Sequence, residues 1–158
     1  MKKILLYLLI TLFVPTFAMA DESQEAAEFF NKYVNSANNY LPVITEMYSP
    51  SAKIIRQVVK PDGTTVDVNT DTATYIKQMK LGQAGAKLRH YKNNYTNIKV
   101  TELANGSYKI SSLRQPSGET YKLKTYMIVK KQPDGNWLIT EEMMQTKVQT
   151  LLRYADKQ

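Results

Sequence analysis

The sequence predicts an α+β domain in which N-terminal helices pack on an antiparallel β-sheet. Three observations carry this reading. Pro61-Asp62-Gly63 and Pro133-Asp134-Gly135 each join two runs rich in β-branched and aromatic residues. Proline presets φ, the acid caps its own backbone and glycine is free to take positive φ, so each run of three makes a hairpin turn. Second, Ala26, Phe29, Phe30, Tyr33, Val34 and Ala37 recur at spacings of three and four, the apolar face of an amphipathic helix. Third, helical segments precede strand pairs and do not alternate with single strands, which argues against a wound parallel sheet.

The chain opens with MKKILLYLLITLFVPTFAMA. Lys2 and Lys3 form a charged start, Ile4 to Val14 an apolar core, and Ala18-Met19-Ala20 a small-x-small cleavage motif, so residues 1–20 are expected to be an export signal cut before Asp21. The apolar run stops at Pro15 and is well short of the roughly 20 residues that span a bilayer, so no stable membrane anchor is expected. The expected location is the periplasm or the exterior. With no cysteine, disulfides, lipidation at a lipobox, thiol catalysis and thiolate metal sites are excluded. The remaining 21–158 has the length of one domain with a core of ordinary size. A net charge of +7 favours anionic partners in general, but the lysines are scattered in runs no longer than two. That is a solvated surface, not a nucleic-acid groove.

The elements follow in order. Acids in Asp21 to Glu25 suit a helix start, and the first helix runs to about Asn38. Pro42 is placed for the first turn of a short helix through Met47. Ser51 to Val59 and Thr64 to Val68 form the first hairpin. Asn69-Thr70-Asp71 then offers a cap to a helix carrying Ala73, Ile76, Lys77, Met79 and Lys80 and ending near Gly82 or Gly85. Lys87 to Glu102 and Ser107 to Arg114 read as strands joined at Asn105-Gly106, and Thr120 to Met144 as the last hairpin. Alternation places Tyr121, Leu123, Thr125, Met127 and Val129 on one face, and Trp137, Ile139, Glu141 and Met143 together on the partner strand. Val148, Leu151, Leu152 and Tyr154 suggest a short terminal helix in the tail.

This order of elements, with the Pro61-Asp62-Gly63 hairpin, the helix from Asp71 and the tryptophan-bearing strand after Gly135-Asn136, resembles the NTF2-like (cystatin-like) superfamily over about Glu22 to Leu152. The resemblance implies a cone: helix one lies in the concave face of a strongly bent antiparallel sheet. It implies no single function, because the superfamily holds isomerases, dehydratases, polyketide cyclases, transport factors, lipid carriers and assembly domains. Its enzymes place an Asp, a His or an Asp-His pair in the mouth of the cone.

The expected function is that of an exported, non-catalytic domain binding a small apolar or amphipathic ligand between helix one and the sheet. Phe29, Phe30, Tyr33, Tyr108, Met127, Trp137, Ile139 and Glu141 are the candidate ligand-binding residues. Glu141 shares a face with Trp137 and Ile139, where apolar walls would raise its pKa, unless Arg114, in phase with Tyr108 and Ile110, bridges it. The only histidine, His90, sits beside Arg89 on an expected strand start and completes no dyad, so it reads as a surface residue and no catalytic residue is assigned. Tyr91, Tyr95, Tyr108, Tyr121 and Tyr126 pair apolar bulk with a polar tip and suit an amphipathic pocket. No metal cluster, phosphate loop or nucleophile elbow is present, so no metal and no cofactor are expected. The alternative is an interaction or assembly domain, with a homodimer as one form, using Tyr126, Ile128 and Leu138 on the other face of the sheet; an isomerase- or dehydratase-like enzyme comes third.

Overall fold

The computed structural model describes residues 17–155. The predicted leader falls outside the described residues up to position 16, as do residues 156–158 of the tail. In chain order come α1 (Phe17–Asn38), a 3₁₀ turn (Pro42–Met47), β1 (Tyr48–Val59), β2 (Thr65–Thr70), α2 (Thr72–Leu88), β3 (Asn93–Glu102), β4 (Ser107–Pro116), β5 (Leu123–Lys131), β6 (Trp137–Thr146) and a closing 3₁₀ turn (Gln149–Tyr154). The strands form one sheet in the order β2-β1-β6-β5-β4-β3. The expected α+β class and curled sheet hold, with one correction: β1 and β6 pair in parallel, Ile54 beside Glu142 and Arg56 beside Met144. A pairing between strands at opposite ends of the chain leaves no turn signal in the sequence.

Both helices end on a residue in the left-handed region. Tyr40 (φ 57) closes α1, and the Leu41 amide reaches back to the Ser36 carbonyl at 2.9 Å. His90 (φ 51) closes α2 in the same way, with the Tyr91 amide on the Ala86 carbonyl at 2.9 Å. Such a cap normally uses glycine, and each side chain here costs roughly 1 kcal/mol. The helix expected to stop near Gly82 or Gly85 therefore runs through both to Leu88, and His90 caps a helix instead of starting a strand. Tyr121 likewise precedes β5. At its start α2 keeps the expected cap, the Thr74 amide donating to Asp71 Oδ1 at 2.8 Å.

Three irregularities bend the sheet. The β1–β6 register shifts between Tyr48 and Lys53, around Pro50, whose missing N–H cannot serve a ladder. The β3–β4 register shifts between Thr96 and Lys99, where Asn97 takes φ 56. In β5–β6, Ile128 faces Glu141 but Val129 faces Ile139, so Thr140 is an extra residue. Within the curl α1 buries Ala26, Phe30 and Tyr33 against Ile54, Tyr108, Ile110, Met127, Val129 and Ile139. This apolar set fills the closed end of the cone. Its rim is clasped by Lys131 Nζ on Glu25 at 2.7 Å and by the Trp137 indole donating to the same carboxylate at 3.0 Å.

Candidate functional site

The Thr140 bulge decides which acid enters the cone. An inserted residue reverses the alternation beyond it, so Ile139 and Glu142 share the concave face and Glu141 turns away. Glu142 is 0% exposed. Its Oε2 accepts from the Tyr48 hydroxyl at 2.6 Å and the Tyr33 hydroxyl at 3.1 Å, and its Oε1 from Arg56 Nη2 at 2.8 Å. Burial, and then the neighbouring Glu142 charge, push both tyrosines well above the ordinary phenol value, so they stay protonated donors. Burial opposes the Arg56 cation, yet the surrounding oxygens of Tyr75, Glu142 and Tyr48 more than offset it and raise its pKa. The expected inward carboxylate at Glu141 is corrected: it lies on the convex face and accepts from the Tyr126 hydroxyl at 2.6 Å. The Arg114–Glu141 bridge does not form, because the two side chains lie on opposite faces.

Five rings cross the cone above this acid. Tyr95 meets Phe30 edge-on at 5.4 Å, Phe30 stacks on Tyr33 at 6.3 Å, Tyr33 meets Tyr48 at 6.4 Å and Tyr48 meets Tyr75 at 5.5 Å. Arg56 lies over the Tyr75 ring at 4.6 Å. Below the belt the cone is filled. Above it is an open cavity of about 490 Å³, walled by the end of α1, one side of α2, the starts of β3 and the ends of β4 and β6, with Leu151 of the closing turn at its edge. Tyr40, Arg56, Tyr75, Met79, Tyr91, Tyr95 and Arg114 line it together with Tyr33. Tyr40 donates its hydroxyl to the Tyr91 carbonyl at 2.8 Å and its own carbonyl accepts from Gln83, so its strained backbone ties the rim of α1 to α2 and β3.

Of the eight candidate residues, Tyr33 alone lines this cavity. Phe30, Tyr108, Met127 and Ile139 are buried in the core, and Phe29 packs beside them. Trp137 packs edge-on to Tyr108 at 5.7 Å at the closed end. Seven of the candidates are apolar or aromatic residues expected to face inward, and such residues fill a cone before they line one. The free volume lies instead where the inward row becomes polar. Tyr91 and Tyr95 reach it as expected, whereas Tyr121 and Tyr126 do not. His90 is exposed at the end of α2, outside the cavity. Tyr75, Met79, Gln83 and Ala86 are not among the candidate residues, although their spacings of four, four and three mark one stripe of α2. Among the described residues no group of three or more His, Asp or Glu is poised to hold a metal, and no helix is long and apolar enough to cross a membrane.

No protein-family model matches this chain, and no curated protein matches it by sequence. Its fold does have solved counterparts. A candidate scytalone dehydratase from Novosphingobium aromaticivorans superposes with a TM-score of 0.60 at 14% identity, over 82% of this chain and 86% of that one. An NTF2-like protein of unknown function from Shewanella oneidensis gives 0.59 at 13% identity, over 79% and 99%. A Catenulispora acidiphila protein in complex with S-DNPA gives 0.55 at 8% identity, over 84% and 98%. The chain therefore has the NTF2-like, cystatin-like fold, an architecture found in dehydratase-like, isomerase-like and ligand-binding proteins alike.

Proposed function

We propose that this is an exported, non-catalytic binding protein whose ligand is a small amphipathic molecule held at the mouth of the cone. The observation that carries the reading is the cavity of about 490 Å³ above the aromatic belt, a volume within the range of small-molecule sites. Tyrosine and methionine side chains give it apolar walls, and arginine, glutamine and asparagine give it convergent polar groups. The ligand complex of the Catenulispora protein supports the idea that this fold accommodates a small molecule. The leader sequence supports export.

Catalysis is disfavoured by the chemistry of the walls. Among the described lining residues there is no carboxylate and no imidazole to take a proton. Glu142 lies beneath the walls with both oxygens engaged, and Tyr33 is held protonated. Native mass spectrometry of the protein purified gently from its host tests the proposal. A companion mass that leaves on denaturation is the expected result. A clean apo protein that also fails to take up amphipathic probes would overturn it.

A further inference from the structure

We infer that the ligand is an amphipathic monocarboxylate and that Arg114 binds its carboxylate. The inference rests on the pocket reading above and adds the chemical class. Arg114 is only 7% exposed and lines the cavity from β4. Every acceptor it meets is neutral: Asn93 Oδ1 at 2.8 Å and the Tyr91 hydroxyl at 3.4 Å for Nη1, and the Gln145 carbonyl at 2.8 Å for Nη2. Its Nε–H has no acceptor, and neither does the buried Ser112 hydroxyl two residues earlier on the same face. The ion pairs among the described residues join Arg56 to Glu142 and Lys131 to Glu22 and Glu25, so no carboxylate of the described residues answers Arg114.

A buried guanidinium left without a counter-charge is costly, and neutral acceptors return only part of its lost hydration. The cavity wall carries Arg56, Lys80 and Arg114 and, among the described lining residues, no acid. Glu142 neutralises Arg56, and Lys80 is exposed at the rim. One deep positive charge is therefore uncompensated, which selects a single negative charge over a phosphate dianion. The planar fork of arginine matches a carboxylate in particular. Tyr75, Met79, Tyr95, Ile44 and Leu151 offer apolar surface to the rest of the molecule.

Calorimetric titration of the purified protein with matched probes tests this: decanoate against decanol, phenylbutyrate against phenylbutanol, and decyl phosphate. The expected result is binding of each acid about tenfold or more tighter than its alcohol, with R114M abolishing the difference. In isotopically labelled wild-type protein the Arg114 Nε proton should move downfield with decanoate and stay in place with decanol, a readout available even where R114M does not fold. Equal affinity for acids and alcohols, or a preference for decyl phosphate, would overturn the inference while leaving the pocket reading intact. Binding of none of the probes would defeat both.

Discussion

Adjacent glutamates on β6 give the sharpest test of the bulge at Thr140, because Glu→Gln substitutions at 141 and 142 are chemically identical and the structure assigns them opposite costs. At 142 the change leaves Arg56 facing a neutral amide in a site that is 0% exposed on the glutamate side and 16% exposed on the arginine side. Removing one member of a buried pair costs ~3–5 kcal/mol, and the residual hydration of Arg56 favours the low end, about 3 kcal/mol. For a domain of this size that lowers Tm by roughly 10 °C. At 141 the new amide oxygen still accepts from Tyr126 on a half-buried face, so the loss stays below about 1 kcal/mol. Urea unfolding read from Trp137 fluorescence measures both, and an unchanged m-value shows that the same transition is being compared. Adding R56M to E142Q should recover much of the loss, since the amide oxygen still accepts from the buried tyrosines and no charge is left without a partner. Equal costs at 141 and 142, or E142Q within about 1 kcal/mol of wild type, would refute the buried-pair assignment and with it the register drawn for β6.

Other outcomes follow from the same geometry. Tyr33, Tyr48 and Tyr75 have folded-state values raised above the ordinary 10.0 by burial. Their contribution is thus intact below pH 10 and lost as the pH climbs beyond it, so alkaline melting scans should steepen there, and Y48F should soften the slope. In acid the sign reverses. The Thr64 hydroxyl and amide hold Asp62 below its ordinary value, the Thr74 amide does so for Asp71, and the Asn136 amide for Asp134. Stability is present above pH 3.8 and falls below it, and D71N should flatten that part of the profile. Phe30→Ala, at a side chain 2% exposed in the filled end, should cost ~3–5 kcal/mol, against about 1 kcal/mol for Met79→Ala on the cavity wall. Chemical denaturation separates the two, and similar costs would mean that the cone is filled at both ends.

The sequence made the local features of the fold legible. Both Pro-Asp-Gly hairpins, the apolar face of α1 and the Asp71 cap depend on neighbours close in the chain, and each forms as its residues predict. The misreadings have non-local causes. Gly82 and Gly85 sit inside α2, which ends only at His90, a residue with no compositional sign of a left-handed cap. Thr140 fits a regular strand by propensity, so nothing near it announces that Glu142, not Glu141, turns inward. The parallel β1–β6 pairing that brings Arg56 to Glu142 spans most of the chain. A pocket formed by what the core leaves unfilled depends on all of these at once, and most of its lining could not be named from the sequence.

The division between filled and open ends is nonetheless written along one strand. The register aligns Tyr108 with Val129 and Ile139, then Ile110 with Met127, Glu142 and Ile54, then Ser112 with Thr125, Met144 and Arg56, and last Arg114 with Leu123. Read from row to row, the concave face changes from wholly apolar, through one neutralised acid, to a row holding an arginine with no acid. The β4 residues Tyr108, Ile110, Ser112 and Arg114 show the same gradient by themselves. The cone opens where the strand becomes polar: Tyr108 and Ile110 lie in the filled core, whereas Arg114 lines the cavity. The fold thus places its unmet charge in the wall of the open cavity, which is the arrangement a carboxylate-bearing guest would complete.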